Sequence, residues 1–262
     1  MTNATNEGRQ RTPTRAPSVQ THARIAGILF VLSMVAGGFG EAYVPSKLIV
    51  SADATATAQN IKAFDSLFRM GFAGYLVEAV CDVGLSLLFY VLLRPVRKDI
   101  ALLAAFFGLV GTAVFAASEL FYLAPSLILA GSGYLRTFAP DQLNTLALLS
   151  LKLFAYGGVM FTVFYGLAWV LRGYLIFKSE YLPKFLGVLM VLGGLGFIAR
   201  NFLLALAPKY ASGSLLLLML PGGLSLATWL LVRGIDVRKW EVSCGPHLNA
   251  RSEELACLEC QV

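Results

Sequence analysis

Charge is scarce in this chain. Asp, Glu, Lys and Arg make up 14% of its 262 residues, while 57% are hydrophobic. A soluble domain carries roughly 25% charged residues. With a mean hydropathy of +0.71, the shortage excludes a soluble globular domain and a disordered chain. Histidine is nearly missing. His22 and His247 are the only two, and neither lies in an apolar run. Haem or metal held by intramembrane histidines is therefore excluded, as is a Ser-His-Asp hydrolase inside the membrane. Four cysteines are too few and too clustered for an extracellular disulfide framework. Nothing in these counts implies a cofactor.

What is present is long apolar sequence. Six continuous runs lie near 24–44, 68–93, 100–125, 143–171, 184–207 and 213–233. Each is long enough to cover a hydrocarbon core that needs about 20 helical residues. The runs are unbroken rather than alternating, which excludes barrel strands. They predict an all-α polytopic membrane helical bundle with six transmembrane helices over 24–234. Residues 1–23 read as a disordered basic N-terminal arm, and 235–262 as a cytoplasmic tail. A signal peptide over Arg24–Phe39 is disfavoured, because no convincing cleavage site follows it. The fourth run is long, and its end, Arg172 to Lys178, is expected to tilt or follow the interface. No fixed-period repeat supports an inverted-repeat transporter.

Basic residues set the orientation. With the N-terminus inside, fourteen of the 21 Lys and Arg fall in inner segments, five in outer segments, and Lys152 and Arg200 within spans. Both termini are thus expected in the cytoplasm. The same placement explains the net charge of +6 without nucleic acid as a partner. In the first outer loop, Asp53 reads as the N-cap of a short helix. Ile61, Phe64, Leu67 and Phe68 would form an apolar face lying on the outer membrane surface, although a plain connecting loop fits equally well.

The main functional signal is polar. A charge inside the bilayer costs about 2.5–3.5 kcal/mol on insertion scales and needs a reason. Seven such charges fall in the outer half or near the midplane: Glu41, Arg69, Glu78, Asp82, Glu119, Lys152 and Arg200, with Asn201 beside the last. Glu78 and Asp82 are four apart, on one helix face that Ser86 extends. Pro221-Gly222-Gly223 breaks the sixth run in the same half. These residues predict either a polar cavity for a small molecule or lipid headgroup, or ion pairs that lock the helices. A catalytic site is the third reading, with Glu78 and Asp82 as acid and base. Whether the chain is an enzyme stays open.

Two further patterns carry less. Cys244, His247, Cys257 and Cys260 supply four possible zinc ligands, but a disordered tail or palmitoylated cysteines fit as well. Gly193-Gly194-x-Gly196 follows no strand, so it reads as close helix packing rather than a phosphate loop. The other span glycines, such as Gly71 and Gly157, read the same way.

Several segments carry a resemblance. Leu67–Phe72, Cys81–Val96, Ala101–Phe107, Gly173–Ser179 and Tyr181–Gly187 are similar to the domain of unknown function 4386 (DUF4386) family of bacterial membrane proteins, over roughly Arg24 to Gly234. The resemblance implies an integral protein of the bacterial inner (plasma) membrane and brings no established activity. Arg69, Asp82, Arg94 and Pro95 fall in its motifs. The chain departs from the family pattern at Ala168, where many relatives carry histidine, and at Arg200-Asn201, where they carry an acid and a serine. Expected partners are membrane lipids, a small-molecule or lipid ligand, and a second copy or other subunit of a membrane complex.

Overall fold

A computed structural model describes residues 18–207, 209 and 217–244. Among these residues every regular element is helical. The helices are α1 (Val19–Gly37), α2 (Val44–Leu48), α3 (Ala54–Ala63), α4 (Asp65–Leu93), α5 (Lys98–Ile128), α6 (Pro140–Lys178), α7 (Lys184–Leu206) and α8 (Met219–Val232). A π-helical turn, Gly38–Tyr43, joins α1 to α2, so that one helical rod runs from 19 to 48. Five helical segments are long and apolar enough to cross a membrane, and α8 is a shorter apolar helix of 14 residues. Helices suit these runs because lipid offers no partner for backbone N–H and C=O groups, and a helix satisfies them within its own turns.

Helices α1, α4, α5, α6, α7 and α8 form a closed ring in which each packs on its neighbours in sequence and α8 returns to α1. Large apolar side chains such as Val80, Leu87, Phe106 and Leu120 point outward and are exposed, as a lipid-facing surface requires. An aromatic column fills the middle. Phe68 stacks on Tyr122 with centroids 4.5 Å apart, and Phe115 stacks on Phe161 at 4.8 Å. Lower down, Trp169 meets Phe30 edge-on at 5.9 Å.

At the seam between α6 and α7, glycine lets the two backbones approach closely. A Cβ on Gly187 would lie 2.6 Å from the Gly173 carbonyl oxygen, and one on Gly194 would lie 2.6 Å from that of Gly166. The two pairs are seven residues apart on each helix, so both fall on one seam. The small-residue packing read from Gly193-Gly194-x-Gly196 is present.

One end of the bundle is closed by named hydrogen bonds. The Gln20 side chain donates to Arg233 O at 3.0 Å and accepts from Ile235 N at 3.1 Å. Gly234, at φ +69, lets the chain turn there. The Leu92 carbonyl accepts from the Tyr181 hydroxyl at 2.7 Å and from Trp240 Nε1 at 3.0 Å. The start of α1 and the end of α8 therefore lie on the same side.

The structure corrects several boundaries. α1 starts at Val19, capped by Ser18, so the basic arm ends before residue 23; residues 1–17 lie outside the described part. α6 continues unbroken to Lys178 rather than turning along the interface after 171. The segment 237–244 is a helix seated on the bundle, because Trp240 reaches the Leu92 carbonyl, which it shares with Tyr181. α3 does begin at an Asp53 cap, whose side chain accepts from Ala56 N at 2.8 Å. Its Thr57, Ala58 and Ile61 are buried against the bundle end, so α3 is a lid on protein rather than a helix lying on lipid. Pro221 falls in the first turn of α8, where its missing N–H has no intrahelical partner to lose; it starts that helix instead of interrupting it.

Substitution at the seam gives a direct check. In Gly187→Ala the new Cβ meets backbone on α6, which cannot swing aside. Overpacking of this kind costs about 1–3 kcal/mol, and the melting temperature in detergent should fall, while Gly158→Ala, facing open space, should leave it nearly unchanged.

Candidate functional site

The polar residues inside the ring fall into two layers. The first is engaged except at Arg172 Nε, which is buried without a partner among the described residues. Asp82 of α4 is 2% exposed, and its Oδ1 accepts from the Ser33 hydroxyl at 3.0 Å and the Tyr165 hydroxyl at 3.1 Å. One turn further along α4, Ser86 accepts from Arg172 Nη2 at 3.1 Å. Arg172 of α6 is also 2% exposed. Its guanidinium lies 5.1 Å from the Phe89 ring centroid and 5.9 Å from that of Tyr165, which stabilises a cation by the ring quadrupoles. Gly108 leaves the room: a Cβ there would lie 2.6 Å from Arg172 Nη2. Asp82 and Arg172 feel each other's charge but make no direct ion pair. Tyr165 connects them, with its hydroxyl on the acid and its ring against the base.

Arg172 is the buried charge that the sequence does not reveal. Counting basic residues by side puts it among the fourteen of the inner segments, yet it is buried in the bundle. Without it the inner count of basic residues is thirteen, still well above the five outer ones. Its burial also overturns the expectation that charge is confined to the outer half of the spans, since Ser86, its partner, lies nearer the Leu92 end than Asp82 does.

The second layer lies toward the α3 end and is under-engaged. Glu78 is one turn from Asp82 on the same face, and its carboxylate rests against Gly37. A Cβ on that glycine would sit 2.7 Å from Glu78 Oε1. Glu78 Oε2 is buried without a partner among the described residues. Glu119 of α5 is 2% exposed, and both its oxygens are buried and unpartnered among the described residues. Donors nearby are already committed. The Tyr75 hydroxyl donates to Gly40 O at 2.6 Å, that of Tyr122 to Phe68 O at 3.1 Å, and that of Ser118 to Phe115 O at 2.7 Å. The Tyr75 hydroxyl feels the charges of Glu41, Glu78 and Glu119 together. Glu41 sits on the π-helical turn, at the exposed rim.

Of the eight residues proposed from sequence, the ring gathers five, Glu78, Asp82, Glu119, Arg200 and Asn201, with Glu41 at its exposed rim. Glu41 lies within electrostatic range of Asp82 and Arg200. Asn201 is buried and donates to the Thr162 hydroxyl at 2.6 Å, and Arg200 reaches Asn201 at 3.5 Å. Two residues do not join. Arg69 is exposed and pairs with Asp65 at 2.7 Å, and Lys152 is exposed on α6. Among the described residues the ion pairs are Arg69–Asp65, Arg97–Asp99 and Lys239–Asp236. None links two intramembrane charges inside the ring, which disfavours a lock made of ion pairs. Of the tail ligand set only Cys244 falls within the described residues. Burial pushes its thiol up from the ordinary value, away from the thiolate that metal binding needs. His247, Cys257 and Cys260 lie outside the described part.

A ring of apolar helices around a buried acid and a buried base defines a multi-pass helical membrane protein with a polar interior. Comparison gives the family. The model for "Domain of unknown function (DUF4386)" matches residues 25–234, so the chain belongs to that family. An uncharacterised protein of Archaeoglobus fulgidus is 27% identical over 162 residues, 62% of this chain and 82% of its own length. That relative is archaeal, so a bacterial origin does not follow from the likeness. No solved structure matches the chain.

The engaged layer makes a measurable claim. Asp82→Asn and Arg172→Gln should each destabilise the bundle. Their double mutant should be less damaging than the sum, with a coupling of about 0.5–3 kcal/mol. A coupling near zero in a double-mutant cycle of denaturation would mean that Tyr165 does not connect them.

Proposed function

We propose that this protein is a binding or accessory membrane protein whose interior, on the α3 side of Asp82, takes the polar part of a small molecule or a lipid headgroup. One observation carries the reading: Glu78 and Glu119 hold buried carboxylate oxygens that no described donor satisfies. A buried polar group without a partner costs about 1–3 kcal/mol, and more when charged. A bundle that needed only stability would gain by replacing them.

The enzyme reading, with Glu78 and Asp82 as acid and base, has less support. Asp82 is tied to Ser33 and Tyr165, which leaves it poorly placed to exchange protons with a substrate. The basic residues favour both termini in the cytoplasm, which puts the Glu78–Glu119 layer in the outer half of a plasma membrane. Assembly with a second copy or another subunit is compatible with this reading.

The test is a thermal-shift screen of purified protein against lipids, polar metabolites and metal ions. The wild type would be run beside Glu119→Gln. A ligand that raises the melting temperature of the wild type but not of the variant supports the site. A screen in which every shift is the same in both proteins contradicts it. Orientation is checked separately: a single cysteine introduced at Ser51 should react with an impermeant thiol reagent from outside intact cells, and one at Lys98 should not.

A further inference from the structure

We propose that the ligand of this interior is an organic ammonium cation, held by Glu78 and Glu119 against the aromatic faces around Tyr75. The inference rests on the binding reading above and names its chemical class.

The charges inside the ring divide unevenly. Asp82 has Arg172 across Tyr165, and Glu41 has Arg200 within electrostatic range. Lys152 and Arg69 are exposed, and Arg69 is already paired with Asp65. Glu78 and Glu119 are left with no described base opposite either of them. The neighbouring hydroxyls, on Tyr75, Tyr122 and Ser118, all donate to backbone carbonyls instead. An anionic ligand would be repelled and a neutral donor would leave the two negative charges unmet, whereas an ammonium cation meets the charge and, where it carries N–H groups, the open acceptors as well.

The walls fit the same chemistry. Glu119 is one helical turn from Phe115 and from Tyr122, so all three share a face of α5. Both rings pack on Tyr75, with centroids 5.7 and 4.9 Å away, and Phe154 adds a third at 5.0 Å. Carboxylates beside aromatic faces are the usual recognition set for ammonium groups. A metal ion fits less well. Among the described residues no three His, Cys, Asp or Glu side chains converge on one point, whereas a bulky organic cation needs no tight coordination shell. The π-helical turn that carries Glu41 at the exposed rim widens the helix beside this layer.

The ammonium group belongs either to a free amine or to a lipid headgroup, and the experiment separates them. Full-length protein would be placed in nanodiscs of pure phosphatidylglycerol and titrated with tetramethylammonium and ethylammonium chlorides, against sodium chloride at equal ionic strength. Parallel nanodiscs would contain phosphatidylethanolamine or phosphatidylcholine. Expected is a melting-temperature rise with the ammonium salts, or with one amine lipid, and at least a tenfold loss of apparent affinity in both Glu78→Gln and Glu119→Gln. A response to the soluble salts alone identifies a free amine, and a response to the lipid alone a headgroup. Lys152→Gln, remote and exposed, should respond as wild type. Equal responses in wild type and both Gln variants overturn the proposal. Specific stabilisation by anionic or neutral compounds, lost in Glu119→Gln, would overturn the cation while leaving the binding site standing. No specific ligand of any class would overturn both.

Discussion

A guanidinium sits where no bulk water reaches it, and the bundle is built around that fact. Arg172 needs a glycine at 108 to make space, a hydroxyl at Ser86 to accept from it, and the Phe89 and Tyr165 rings to shield it. Those partners come from α4, α5 and α6. Tyr165 then carries the constraint to Asp82, and Asp82 carries it to Ser33 on α1. Three of the six ring helices, α1, α4 and α6, are thus tied by a single polar chain, and α5 makes room for it at Gly108. Apolar packing in lipid gives helices little reason to prefer one rotation over another, because the tails are as apolar as the side chains. A buried polar chain supplies that preference, since any rotation would strand its members.

Against this fixed layer the Glu78–Glu119 layer is its opposite. The two are separated by about one turn of α4, share the same aromatic column, and differ in how their charges are met. One is met from within the protein at every group but Arg172 Nε. The other has its nearby donors turned to the backbone, leaving acceptor capacity facing inward. Proteins often hold such local costs at the places where they bind, and trade stability for function there.

Much of this was legible from sequence. The six apolar runs gave the helices nearly to the residue at Leu93 and Lys184, because charge and proline mark those ends sharply. Asp53 was readable as a cap because its side chain has one obvious use before an alanine-rich run. Asp82 and Glu78 stood out because an i, i+4 pair of acids in an apolar run is too costly to be incidental, whether it binds a ligand or locks the helices. What depth along a span cannot give is the face. Lys152 directly follows buried Leu151 and points outward, and Arg69 follows buried Phe68 and does the same. Arg172 failed for the reverse reason. It stood near a predicted loop, although the apolar Leu175-Ile176-Phe177 after it signalled that the helix continued. Residues 237–244 read as tail because their anchor, the Leu92 carbonyl, is 148 residues from Trp240.

The central claim is that the two layers differ in kind, one holding the fold and the other reserved for a ligand. The most direct measurement compares unfolding of Asp82→Asn and Glu119→Gln with wild type, in one detergent and without ligand. The account predicts opposite behaviour: Asp82→Asn melts earlier, because the Ser33 and Tyr165 hydroxyls trade a charged acceptor for a neutral one and Arg172 loses the negative charge across Tyr165, while Glu119→Gln melts at or above the wild-type temperature, because an unmet buried carboxylate is gone. If Glu119→Gln is destabilised as much as Asp82→Asn, both acids are structural and the division into two layers is wrong.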